Sequence, residues 1–385
     1  MSDQVLREPY GYAYAEQSRL KEVYGGAHGR VFVECMRIYP AERPSSTVIL
    51  FSHPIGGGSF LPLVTALARA GKHVIYCNTR YRGNDNALIL EKCVLDLGAC
   101  VADLKKRFGY ETVVLGGWSG GGSLSMFYQD QATNPTITQT PAGDEIDLVG
   151  ANLIPADGVM LLAAHIGRSV TMTEWIDPSI LDESRPFERD VSLNIYDPAC
   201  PNQPPYSDAF VARFRAAQIA RNRRITGWVK DQLAALKAAG DSDAERCFIV
   251  QGTMSDVRWT DPTQEPSDRA PYTCYMGDPK IANDGPIGLG RFTTLRSWLS
   301  QWSYDESRAN GLINAPNITV PSLVINNTAD LACTPSHAAR LFAALGSADK
   351  TYVDIEGADH YYIEKPELLP QATAAVVGWM DARGF

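Results

Sequence analysis

Ser119 stands in the stretch Gly116-Gly117-Trp118-Ser119-Gly120-Gly121-Gly122, five glycines around one tryptophan and one serine. The apolar run TVVL precedes it and SLSMFYQD follows, which reads as the end of a strand and the body of a helix. A serine lifted out of a sheet by so sharp a turn can act as a nucleophile. Gly117 and Gly121, two residues before and two after, let the backbone fold that tightly. The helix start also offers free N–H groups and a positive dipole end where an anion would develop. No G-K-[ST] follows and no G-x-G-x-x-G is present, so a phosphate loop fits poorly.

Serine is a weak nucleophile until a base, itself oriented by a carboxylate, takes its proton. In a parallel sheet such groups gather where strands end. The run SLVINNTAD ends in Asp330 and YVDIEGADH ends in His360. The chain order is therefore Ser119, Asp330, His360, each placed just after an apolar run. Asp359, beside the histidine, and Asp354, inside the preceding strand, are rival acids. Acyl transfer also needs donors for the oxyanion. The Gly120 N–H is one. The other is expected from the loop His53-Pro54-Ile55-Gly56-Gly57-Gly58, where Pro54 has no N–H and leaves Ile55 and Gly56 as candidates.

The elements that must position these groups alternate. Strands are expected over 30–40 (alternating, as at a sheet edge), 47–54, 72–80, 112–118, 157–165, 321–330 and 350–357. Helices are expected over 60–71, 88–109, 121–132, 336–346 and 368–384, with Gly71 and Gly109 as stops. Residues 133–156 read as a surface excursion. Strand–helix alternation implies a mostly parallel central sheet with helices on both faces. Residues 166–316 break the pattern and read as an inserted, largely helical domain, with helices over 206–239 and 290–302.

Composition sets the bounds. The 385 residues carry 35 Lys and Arg against 44 Asp and Glu, a net charge of −9. That charge argues against nucleic-acid and anionic-membrane partners. Nothing approaches a membrane span, and the N-terminus shows no signal-peptide pattern, which points to the cytoplasm. Eight scattered cysteines without a C-x-x-C pair read as reduced thiols, and six spread histidines give no metal site.

The elbow at Gly117, Ser119 and Gly121, the acid Asp330, and His360 together resemble the α/β-hydrolase-fold enzymes. The likeness spans residues 1–165 and 317–385. It implies an α/β core over those ranges and a cap, or lid, over 166–316. Pro54 replaces the glycine of the family's H-G-x loop. His53, Trp118, His165 and Trp298 are expected to border the substrate, and Arg213, Arg215, Arg221, Arg223 and Arg224 to form a solvated helix face. The activity implied is hydrolysis of a carboxylic ester or related acyl compound through an acyl-enzyme on Ser119. No cofactor is needed, and a homodimer is allowed. The same triad serves lactones, thioesters, amides, carbon–carbon bond hydrolysis and acyl transfer. From another class, a non-catalytic ligand-binding protein with this fold is the alternative.

Overall fold

The computed structural model describes residues 4–16 and 30–385. The first three residues, on which the reading of the N-terminus rests in part, and residues 17–29 lie outside the described residues. One sheet organises the chain. Its strands are β1 (Val5–Tyr14), β2 (Val31–Pro40), β3 (Thr47–Ser52), β4 (Val74–Cys77), β5 (Thr112–Ser119), β6 (Gly158–Ala164), β9 (Ser322–Asn327) and β10 (Lys350–Ile355). A small separate hairpin is made by β7 (Cys247–Ile249) and β8 (Phe292–Thr294). The order across the main sheet is β1-β2-β4-β3-β5-β6-β9-β10. Pairing is parallel from β4 to β10 and antiparallel for β1–β2 and β2–β4.

The apolar runs explain the centre. All six residues of β3 and all seven of β6 are buried, as expected of strands covered on both faces. Helices α1 (Pro62–Arg69) and α7 (Leu369–Asp381) close one face, where Leu63, Val64, Val376 and Trp379 share a core with Ile49, Phe51 and Ile325. Helices α2 (Leu90–Phe108), α3 (Gly120–Thr133) and α6 (Pro335–Ala344) close the other, with Val94, Leu97, Leu124 and Leu341 against Leu50, Leu115 and Val324.

Three expectations are corrected. Strand β2 is not the edge, because β1 pairs along its whole length from Val5↔Pro40 to Tyr14↔Val31. Pro9, Gly11 and a mostly half-exposed surface hide β1 from a search for apolar alternation, and only an edge tolerates them. The helix expected over 290–302 is strand β8, one helical turn at Leu295–Ser297 and a π-helical turn at Trp298–Trp302. Thr294 is extended and its hydroxyl caps Ser297 N–H, so the helical geometry starts only there. On helix α5 (Asp208–Ala238) the arginine face is not simply solvated. Arg221 is fully buried and bonds Glu183 and the carbonyls of Asp177, Gln251 and Gly252.

The chain between β6 and β9 has apolar clusters of its own, one built on Met172, Ile225, Val229, Leu295, Trp298 and Trp302. It is tied to the sheet side by a buried ion network. Arg258 bonds Asp256 and Glu174 at 2.5 and 2.6 Å and Glu265 and Thr334 at 3.1 and 2.8 Å, and His337 of α6 meets Glu174 at 2.9 Å. Burial alone would raise the Glu174 carboxyl, but His337 and Arg258 outweigh it and hold it well below the usual value. Removing the cation would strand buried carboxylates. Arg258→Met is expected to cost about 3–5 kcal/mol, read as a lower denaturant midpoint at neutral pH. The Glu174 contribution is present above the unfolded carboxyl value and is lost as pH falls through the lower folded value. The variant's deficit should therefore narrow in acid. No described helix is long and apolar enough to cross a membrane.

Candidate active site

Strand β5 runs straight into α3, and the junction residue is Ser119, at φ 54° and ψ −126°. A non-glycine residue at positive φ is strained, and strain of this kind gathers at functional turns. The surrounding glycines are required by contact. A Cβ on Gly117 would sit 2.7 Å from the Gly122 Cα, and one on Gly121 would overlap the Ser52 carbonyl oxygen. A Cβ on Gly120 would lie 2.8 Å from His53 Nε2 and 3.3 Å from His165 Nε2. The stretch is glycine-rich because β3, β6 and the helix all close on the serine.

Asp330 follows β9 and is wholly buried. Its Oδ1 accepts the N–H groups of Ala332 and Cys333 at 2.7 and 2.9 Å. Its Oδ2 lies 2.5 Å from His360 Nδ1, in the loop after β10. With Nδ1–H given to the carboxylate, the neutral imidazole keeps its lone pair on Nε2, the atom a general base uses. The Trp118 ring lies against the His360 ring at 4.4 Å, tilted by 38°, and Tyr361 and Tyr275 meet it edge-on at 4.7 and 5.8 Å. The rivals are accounted for. Asp359 accepts four backbone N–H groups from Tyr361 to Lys365, and Asp354 bonds Asn326.

Ser119 Oγ lies 3.9 Å from Cys333 Sγ, and the Cys333, Asp330 and His360 donor atoms are all within 4.8 Å of one another. Cys333 thus lies between Ser119 and the Asp330–His360 pair. Catalytic hydrogen bonds in free enzymes are often long and tighten only with substrate. Burial, with the Asp330 charge beside it, pushes the Cys333 thiol well above its usual value.

The oxyanion candidates divide. The Gly120 N–H opens α3, where no intrahelical acceptor exists. The Gly56 N–H is already given to the His53 carbonyl at 2.8 Å, which removes it as a donor. The Ile55 N–H points at His53 Nδ1 at 3.3 Å. Burial, with Arg168 and His360 adding to it, pushes His53 down to about 3, so the ring is neutral. Its Nδ1 accepts from Ile55, so its proton sits on Nε2, the atom that closes on Gly120.

Ser119 opens into a cavity of about 160 Å³ walled by His53, Ile55, His165, Trp175, Met254 and Tyr275, with Asp85, Arg168 and Thr171 also on its surface. Of the four residues expected to border substrate, His53 and His165 are here and Trp118 backs His360. Trp298 is a correction: it is fully buried and donates its indole N–H to Thr226, in the core of the inserted segment. Sequence reading missed Trp175, Arg168, Thr171 and Cys333. The first three lie on α4 (Arg168–Trp175), which directly follows β6. Their nearness to a strand end was the available signal. A larger cavity, about 710 Å³, lies against α5 and β7. It holds none of these residues, so its size does not make it the site of this chemistry.

A mostly parallel eight-stranded sheet with this order, helices on both faces and a serine at the β5–α3 turn defines the α/β-hydrolase fold, and the chain has it. A hypothetical protein from Pseudomonas aeruginosa has a similar structure, with a TM-score of 0.50 at 12% identity over 98% of this chain and 94% of that one. Est1E from Butyrivibrio proteoclasticus aligns with a TM-score of 0.48 at 12% identity over 94% and 98%. Brefeldin A esterase, a bacterial homologue of human hormone sensitive lipase, aligns with a TM-score of 0.46 at 14% identity over 98% and 77%. Neither a family model nor a curated protein matches the sequence.

Proposed function

We propose that this chain is a serine hydrolase that cleaves a carboxylic ester or a related acyl compound. One observation carries the reading: a serine held at positive φ on a cavity, beside Cys333, which in turn neighbours an imidazole 2.5 Å from a buried carboxylate. His360 Nε2 takes the Ser119 proton as the oxygen attacks the substrate carbonyl. The Gly120 N–H and the His53 Nε2–H hold the oxyanion, and Ile55 fixes the His53 tautomer. The protonated His360 gives its proton to the leaving alcohol, and an acyl-enzyme remains. Water attacks it, losing a proton to His360, and the acid departs with Ser119 restored. Asp330 orients the ring and stabilises its cation. Residues 166–316 act as the cap, because Trp175, Met254 and Tyr275 from that segment wall the cavity.

A fluorophosphonate should label the native protein once, at Ser119, as mapped by peptide mass. A chromogenic acetate ester, small enough for the cavity, should be hydrolysed. Failure of both would leave the ligand-binding alternative in place of the enzyme.

A further inference from the structure

The cavity of about 710 Å³ against α5 and β7 takes no part in the chemistry read at Ser119. Its floor is apolar. Ile225 and Val250 are buried, and the Trp228 and Phe248 rings meet edge-on at 5.1 Å. Phe248 in turn lies 6.0 Å from the buried Trp298 ring, so this aromatic wall is fixed to the core of the inserted segment. At the rim, Leu181 and Ile249 are 56% and 53% exposed, and Phe292, opposite Ile249 in the β7–β8 hairpin, is 49% exposed. Large apolar side chains left open to water around a concave, apolar floor mark a binding surface.

The charges on the lining select the occupant. Arg185 is paired with Asp182 and Glu188, and Arg224 with Glu183, which also holds Arg221. Arg246 differs. Its Nη1 donates to the neutral Gln232 side chain at 2.6 Å, and its guanidinium carbon lies 5.0 Å from the centre of the Trp228 ring. Among the described residues its Nε and Nη2 groups have no hydrogen-bond or ion-pair partner. The neighbouring Glu245 carboxylate is turned to Arg296 and to the N–H groups of Leu295 and Arg246. The Nε and Nη2 groups make up the edge of the guanidinium fork that takes a carboxylate through two parallel bonds. A monoanion suits this place better than a dianion, because the Asp182 and Glu183 carboxylates stand on the same lining. A planar monoanion carried on an apolar tail is an aliphatic carboxylate.

We propose that this cavity binds a free aliphatic carboxylic acid of medium chain length as its carboxylate. The head lies on Arg246 Nε and Nη2, and the chain runs over Trp228, Phe248, Ile249 and Leu181. The site is separate from Ser119 and does not depend on the acyl chemistry read there.

The test is isothermal titration calorimetry of the full chain with octanoate, 1-octanol, octylammonium and octyl phosphate, each below its micellar concentration. Octanoate should bind about tenfold tighter than octanol or more. Octylammonium should bind more weakly than octanol, and octyl phosphate no tighter than octanoate. Arg246→Gln keeps most of the side chain and removes the charge, so it should bring octanoate to within about threefold of octanol. Arg246 is exposed and its loss strands no buried carboxylate, so this variant should melt with the wild type. Octanoate seated in the Ser119 cavity instead would be indifferent to Arg246→Gln, and that indifference would overturn the site. So would equal binding of octanoate and octanol, or tightest binding of the phosphate or the ammonium. Sedimentation velocity reads the other occupant. The oligomeric state should not respond to Ile249→Asp at the rim; a dimer split by that change would give the cavity to a second copy of the chain and overturn the proposal.

Discussion

Ser119→Ala is expected to lower turnover of a chromogenic acetate ester by about 10⁴- to 10⁶-fold and to abolish the fluorophosphonate adduct. The size follows from what is lost. Without the Oγ no acyl-enzyme can form, and His360 and Asp330 have nothing to activate, so the residue's effect approaches that of the whole triad. What survives is the positioning and oxyanion stabilisation that Gly120 and His53 can give to direct attack by water. Stability should move the other way. Ser119 sits at φ 54°, ψ −126°, a conformation that glycine adopts freely and an L side chain does not. Ser119→Gly should therefore unfold at higher denaturant than Ser119→Ala, by about 1 kcal/mol, while being equally inactive. A gain in stability on removing the side chain would show the strain is kept for the nucleophile. Ester turnover that survives either substitution would place the chemistry on another residue.

The site was more legible in the sequence than its surroundings, and for a physical reason. In the proposed mechanism nucleophile, acid and base each stand where a strand stops, so an apolar run followed by Ser119, Asp330 or His360 points to them without any knowledge of pairing. Donors are harder, because what matters is which N–H is left over. Pro54 excluded itself on chemistry alone. Gly56 is set aside only because its N–H turns to the His53 carbonyl, and the proposed mechanism puts the imidazole Nε2 in its place through the Ile55–His53 bond. The wall on α4 is harder still. Arg168 and Thr171 look like ordinary helix residues until the fold sets them on the cavity. Strand β1 was hidden because an edge needs so little apolar patterning. Trp298 was misassigned because a tryptophan in an inserted segment fills that segment's own core as readily as a pocket.

Asp330→Asn should cut kcat by about 10⁴-fold with little change in stability, and the hydrogen bonds already present dictate why. Oδ1 accepts two backbone N–H groups, from Ala332 and Cys333. An asparagine must keep its carbonyl oxygen at that position, since its amide group would face two donors there. The amide NH₂ then occupies the Oδ2 position, 2.5 Å from His360 Nδ1 in the native protein. A donor at that place forces Nδ1 to accept, and the ring proton moves to Nε2. The imidazole stays in place, between Trp118 and Tyr275, but presents a proton to Ser119 where it should present a lone pair. Thermal melting and fluorophosphonate labelling kinetics separate the two causes of inactivity: an unchanged melting temperature with slow labelling fits the wrong tautomer, whereas a collapsed melt would mean that the carboxylate's role is to hold the 330–333 loop. Asp330→Ala makes the contrast sharper, because it strands both backbone donors as well as the imidazole and should lose stability along with activity.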